Sequence, residues 1–343
     1  VAAERLADAP LDALNTFGIR ANARVLWRLD DETDLPQVLG ALHAEPEPAL
    51  VLGGGSNLLI TGDIARPVLQ VALRGIRVLE DDGERAILEA AAGEPWDGLV
   101  RRSLSAGLCG LENLALIPGT AGAAPIQNIG AYGVELKDCF DSLDAIHLRD
   151  GTRRRFDAAD CAFGYRDSLF KQPGGNAWLV LSVRLRLSRR PRLRLDYGEI
   201  REELARAGVT SPSATDVADA VSAIRRRRLP DPAVLGNAGS FFKNPLVAPE
   251  VADALRLREP GLPMWPAGDR VKLSAAWMID RCGWKGHRDG DAGVHAAHAL
   301  VLVNHGRATG AQLLALARRI RDSVRERFGV ELEPEPLVVG SPL

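Results

Sequence analysis

Between positions 117 and 133 the chain carries Ile117, Pro118, Gly119, Gly122, Ala123, Ile126, Gln127, Asn128, Gly130, Ala131, Tyr132 and Gly133 in a run without a charged side chain. Small residues let a backbone approach a ligand closely, glycine tolerates positive φ, and successive N–H groups form an anion nest suited to a diphosphate. The competing reading is a plain surface loop, but such loops are usually polar rather than rich in alanine and isoleucine. A second glycine loop holds Gly53, Gly54, Gly55, Ser56, Asn57 and Leu58; leucine at position 58 breaks the G-x-G-x-x-G spacing, which disfavours a Rossmann dinucleotide fold. Two separated glycine loops suit a long cofactor pinned at several places.

Other chemistry-bearing residues read less directly. Arg225, Arg226, Arg227 and Arg228 could grip phosphate, yet a charge run at a helix end is commonly a solvated face that also suits the helix dipole. His295 and His298 stand one helical turn apart, but no carboxylate or cysteine at ligand spacing joins them, so no metal is expected. Cys109, Cys139, Cys161 and Cys282 lack paired spacing and read as reduced, buried thiols. A formal net charge of −2 argues against bulk attraction to nucleic acid or membrane. No stretch approaches the ~20 apolar residues of a membrane span, and no basic-then-apolar signal region is visible. These features predict a cytoplasmic protein.

The elements that must position these residues can be read from turn and periodicity signals. At 343 residues, with 46% hydrophobic and 26% charged, the chain suits two or three domains at about 150 residues each. Apolar runs at 49–52, 68–73, 86–91, 142–148 and 178–187, bounded by turn residues, predict strands, and 96–106 is the best helix of the first half. Thr215 is expected to cap a helix with Val217, Val221 and Ile224 on its apolar face, ending before Pro230. Further helices are expected at 273–281 and 309–328, the latter stopped by Gly329, and a final strand at 330–339. A strand-rich first half followed by mixed elements predicts an α+β fold rather than one doubly wound sheet.

Six motifs in order carry a resemblance: Asn15-Thr16-Phe17-Gly18, the loop at Gly53, the 117–133 run, Phe163-Gly164-Tyr165-Arg166-Asp167-Ser168, Gly239-Ser240-Phe241-Phe242-Lys243-Asn244-Pro245, and Leu332-Glu333-Pro334-Glu335. Together they resemble the UDP-N-acetylenolpyruvoylglucosamine reductase family over nearly the whole chain. The resemblance implies a vanillyl-alcohol-oxidase-like (PCMH-type) pair of FAD-binding lobes plus a smaller α+β substrate-binding domain. The expected division is 1–65 as the first FAD lobe, joined by a C-terminal strand, 330–343; 66–224 as the second, with the tyrosine loop near 190–200; and 225–329 as the substrate domain. It further implies bound FAD, NADPH as co-substrate, and reduction of the enolpyruvyl ether of a UDP-sugar during peptidoglycan synthesis. The chain is expected to act as a monomer.

Such a reaction adds hydride to the β-carbon and drives negative charge onto the α-carbon and its carboxylate, which must be stabilised and then protonated. By resemblance, Arg166 offers its fork to that carboxylate, although an unplaced arginine is by default a surface ion pair. Ser240 is implied as the general acid; without the resemblance it reads as a turn residue. Glu335 matches a carboxylate that steadies the enolate or serves the proton relay, with Glu333 on the same face of an expected strand. Tyr197 matches a loop, near 190–200, found in the longer of the family's two types. Tyr165, Arg225, Arg228, Lys243, Asn244 and His298 are implied substrate contacts. Ala123 and Ala124, His298, and Pro336-Leu337 depart from the family's pattern, which puts their local contacts in question. Rival readings from the residues are another flavin oxidase or dehydrogenase of the same fold, and a non-catalytic nucleotide-sugar module.

Overall fold

A computed structural model describes residues 3–340, and they fall into two compact units, each assembled from separated stretches of chain. The first unit takes residues up to Ala9, then 23–54 and 65–227; the second takes 10–22, 55–64 and 228 onward.

In the first unit, strands Glu4–Pro10, Asn22–Leu29, Val68–Val71 and Leu50–Leu52 lie side by side in that order, with the last three mutually parallel. Helix Leu35–His43, begun by Pro36 in its first turn, makes the crossover between the parallel strands Asn22–Leu29 and Leu50–Leu52, which flank Val68–Val71. A second, antiparallel sheet runs Arg153–Asp157, Phe140–His147, Trp178–Ser188, Arg85–Ala91, Ile76–Asp81. Its strands alternate: Leu143, Ala145, Val183 and Leu185 are buried, while the opposite face bears ions, with Arg184 set between Glu89 at 2.6 Å and Asp144 at 2.5 Å. Helices Trp96–Ser105, Gly198–Arg206 and Ala214–Arg228 belong to this unit.

In the second unit, strands Gly236–Ser240, Val301–Asn304, Ala292–Val294 and Arg288–Asp289 form one antiparallel sheet. Helix Gly310–Phe328 carries the periodicity expected of it, burying Leu313, Leu316, Ala317, Ile320, Val324 and Phe328. Thr309 and Gln312 close a capping box at its start, and Gly329 ends it at φ 70°. A Cβ at Gly310 would lie 1.7 Å from Ile60 O, so only glycine lets this helix begin against strand Leu58–Ile60.

Two expectations need correction. The helix beginning at Ala214 is capped by Ser213, whose Oγ accepts from Asp216 N at 3.2 Å, not by Thr215. The C-terminal strand is shorter than 330–339: only Leu337–Val339 forms a regular strand, parallel to Leu58–Ile60. Pro334 and Pro336 lack the N–H groups a continuous ladder needs, so 333–335 makes only a bridge to the 241–243 stretch.

Candidate active site

The 117–133 run folds as a turn of 3-10 helix, Ala121–Gln127, held by outward backbone bonds. Ala121 N and Gly122 N donate to Glu94 O and Ala92 O, both at 2.8 Å, so these two amides pin the loop and the cradle rests on its close packing. A Cβ on Gly53 would stand 2.7 Å from Thr120 Oγ1, one on Gly54 3.3 Å from Gly119 Cα, and one on Gly122 2.5 Å from Ala92 Cβ. Gly53 and Gly54 therefore lie directly against Gly119 and Thr120. The two loops singled out by composition meet in one place, with bare backbone facing backbone, as a diphosphate-bearing cofactor needs. Gly122→Ala is expected to displace this loop, destabilising the protein by about 1–3 kcal/mol and lowering the flavin it retains. Denaturant midpoints and the flavin-to-protein absorbance ratio check both effects.

Backbone strain concentrates here. Of the six non-glycine residues with positive φ among those described, Leu116, Asn128, Tyr132 and Arg166 lie in or beside this loop. Arg166, at φ 53°, donates from Nη2 to Gly130 O at 2.7 Å, and its guanidinium lies 5.5 Å from the Tyr165 ring centre. A Cβ on Gly130 would come within 3.1 Å of Arg166 Nη1, so that glycine makes room for the arginine. Arg225 enters from helix Ala214–Arg228 and donates from Nε to Leu116 O at 3.2 Å. Burial draws its guanidinium below the usual arginine range and Arg166 adds to this, while Tyr132 and Asp97 oppose it. Tyr197 precedes helix Gly198–Arg206, half-exposed, with its ring edge-on to Tyr132 at 5.4 Å.

Ser240, in the second unit, follows a register shift between Asn237 and Ser240 in which Gly239 takes φ 70°. The bulge re-aims the serine while Phe241 and Phe242 behind it are wholly buried, 0% and 1% exposed. Glu335 N donates to Phe241 O at 2.8 Å, and Asn57 Nδ2 donates to Glu335 O at 3.2 Å. Ser240, Glu335 and Asn57 thus share one neighbourhood of this unit, and Arg166 belongs to the other unit. Glu333 is exposed and pairs with Lys243 at 3.1 Å, whereas Glu335 is half-buried. Asn244 Oδ1 accepts from Ala275 N at 3.0 Å, tying it to the start of helix Ala275–Arg281. His298 Nδ1 accepts from Leu300 N at 3.3 Å. Burial, reinforced by Arg228, His295 and Lys285, pushes its imidazole below the ordinary range.

Two residues here, Asn113 and Asp97, lie outside the six motifs, and a third, Ser168, closes one of them without a role of its own. Asn113, 2% exposed, donates from Nδ2 to Tyr132 O and Arg194 O, both at 2.9 Å, linking the glycine loop to the stretch before Tyr197. Asp97 Oδ1 accepts from Leu116 N at 2.6 Å, and Ser168 Oγ donates to Ile126 O at 2.6 Å. A polar residue inside an apolar run, as in Leu111-Glu112-Asn113-Leu114, is the available sequence clue.

Residues 23–157, which contain both glycine loops, match the FAD binding domain; the chain is an FAD-binding α+β oxidoreductase. Residues 231–339 match the C-terminal domain of UDP-N-acetylenolpyruvoylglucosamine reductase. The chain is 59% identical over 327 residues to the enzyme of that name from Pseudomonas aeruginosa, covering 95% of this chain and 96% of the relative. It is 56% identical over 335 residues to that from Chromobacterium violaceum, covering 97% and 98%. The crystal structure of the reductase from Thermus caldophilus is similar over 98% of each chain, at 29% identity and a TM-score of 0.66. The chain belongs to the UDP-N-acetylenolpyruvoylglucosamine reductase family, and it is an oxidoreductase acting on a CH–CH group. The α+β FAD-binding fold implied by the six motifs is the fold found.

Proposed function

We propose that the chain reduces the enolpyruvyl ether of UDP-N-acetylglucosamine enolpyruvate to the lactyl ether of UDP-N-acetylmuramate with NADPH, as a cytoplasmic monomer in peptidoglycan precursor synthesis. The observation that carries this reading is near-full-length family membership together with the Gly239 bulge that presents Ser240 beside Glu335. No helix of the described residues is long and apolar enough to cross a membrane, as suits soluble substrates. FAD is held by the facing loops at Gly53 and Gly119 in the 1–65 and 66–224 regions; the UDP-sugar is bound by 225–329.

When bound, FAD supplies the hydride, obtained from NADPH, that reaches the β-carbon of the substrate. Arg166 holds the substrate carboxylate and offsets the charge that develops there, the kind of preorganised donor worth a few kcal/mol at a transition state. Ser240 Oγ then gives its proton to the α-carbon, completing the addition of one hydride and one proton across the double bond. A serine hydroxyl is a weak acid, so this step needs a strongly basic enolate and a neighbour to restore the proton. Glu335 serves that relay. Arg225, Arg228, Lys243, Asn244 and His298 bind the remainder of the substrate, and Tyr165 and Tyr197 cover it.

Separate half-reactions test the proposal. Purified protein should carry flavin, bleach with NADPH in the absence of oxygen, and recover its colour faster with the enolpyruvyl substrate than with oxygen. Recovery with oxygen alone would make it a flavin oxidase of the same fold, and absence of flavin a binding module.

A further inference from the structure

The six residues 163–168 form a tight loop with Arg166 near its tip: Gly164 N donates to Asp167 O at 3.0 Å, and Asp167 N to Gly164 O at 3.4 Å. Phe163 packs edge-on to Phe140 of strand Phe140–His147, ring centres 4.9 Å apart, but Arg166 itself lies outside any strand or helix, so the direction of its guanidinium depends on what grips this loop. From just beyond the loop Lys171 Nζ donates to Arg166 O at 3.2 Å and Gln172 Nε2 to Asp167 Oδ2 at 2.9 Å, and three further hydrogen bonds tie the loop to 126–130. Asn128 Nδ2 donates to Gly164 O at 3.0 Å, Ser168 Oγ to Ile126 O at 2.6 Å, and Arg166 Nη2 to Gly130 O at 2.7 Å.

Asn128 is the hub of this arrangement. It is 0% exposed, and its amide is engaged on every side: Nδ2 also donates to Glu135 Oε2 at 3.0 Å, and Oδ1 accepts from Lys137 N at 3.0 Å. Its backbone takes the left-handed conformation, φ 44° and ψ 66°, which asparagine tolerates better than most residues. A side chain whose donors and acceptor are consumed within the protein serves the protein, even in the middle of a cofactor loop.

We propose that Asn128 is a positioning residue: it fixes the Arg166 loop so that the guanidinium meets the substrate carboxylate, and it is not a contact of the FAD. This rests on the reading of Arg166 given above. It also makes the cofactor loop and the carboxylate clamp one rigid piece, so that the loop that cradles the cofactor also sets where the substrate carboxylate must lie.

Asn128→Gly is the test, because glycine takes φ 44° without strain while the side chain with its amide is removed. The oxidised holoenzyme is titrated with the enolpyruvyl UDP-sugar and with UDP-N-acetylglucosamine, which lacks the carboxylate, following the flavin absorbance. Enolpyruvyl binding is expected to weaken about ten- to a hundredfold, the scale of a misdirected charged hydrogen bond. UDP-N-acetylglucosamine binding and FAD retention should stay as in the parent. Ser168→Ala, which removes one of the other two bonds, should shift the same discrimination less, and it carries the test if Asn128→Gly fails to fold. Loss of FAD or equal weakening of both ligands would overturn the proposal in favour of a cofactor contact or a general structural role. Unchanged discrimination in Asn128→Gly, with discrimination lost in Arg166→Lys, would overturn the positioning role alone. Unchanged discrimination in Arg166→Lys would overturn the reading of Arg166 beneath it.

Discussion

Ser240→Ala is expected to leave reduction of the bound flavin by NADPH within about twofold of the parent rate while slowing reoxidation by the enolpyruvyl substrate about 10²- to 10⁴-fold, the range typical of a lost general acid. The substitution removes one oxygen and little else. Gly239 still makes the turn, Phe241 and Phe242 still fill the core behind it, and the Glu335 bond to Phe241 O involves backbone only. Stability should therefore hold, and the change should appear in one half-reaction. Stopped-flow traces of the two halves, recorded separately, give the answer directly. Equal slowing of both would remove Ser240 from proton delivery.

Arg166→Lys should be nearly as costly, with a loss of about 10²- to 10³-fold in kcat/KM, because lysine keeps the charge and gives up the planar fork. The backbone strain at φ 53° is the same for both residues, so the comparison isolates the guanidinium. A lysine would also have to replace the bond from Nη2 to Gly130 O with a flexible stem. Steady-state measurement should show KM for the enolpyruvyl substrate rising together with a fall in kcat, while the NADPH half-reaction is spared. A kcat/KM within a few-fold of the parent would leave the carboxylate without its proposed partner.

Much of this site could be read from the chain because its signals are local. The small, uncharged run around Gly119 needs no partner to announce a close backbone approach, and the periodicity from Leu313 to Phe328 with Thr309 and Gly329 at its ends needs no tertiary context. What escaped depends in part on distant partners and in part on local competition between neighbouring residues. Asn113 looks like an ordinary polar residue until the carbonyl of Arg194 arrives 81 residues later, and Asn128, expected at the cofactor, shows its tie to Gly164 O only when that carbonyl arrives 36 residues later. Thr215 is the cap expected from the sequence; Ser213 takes that place, held there by Asp216, whose carboxylate accepts from Ser213 N at 2.8 Å. A strand is expected throughout 330–339, but Pro334 and Pro336 remove donors that would have built it.

The way the second unit is assembled has a consequence for how the protein is made. Residues 10–22 and 55–64 emerge from the ribosome early, but Phe17 O waits for Asn304 Nδ2 and strand Leu58–Ile60 waits for Leu337–Val339. At about 5–20 residues per second that delay is on the order of ten seconds or more. Meanwhile every segment of the first unit, including both Gly53-Gly54 and the loop they face, has already been synthesised. The cofactor half can thus fold during translation, while Phe17, Leu59 and Ile60 remain unburied, apolar stretches suited to a chaperone's grip until the last strand is released.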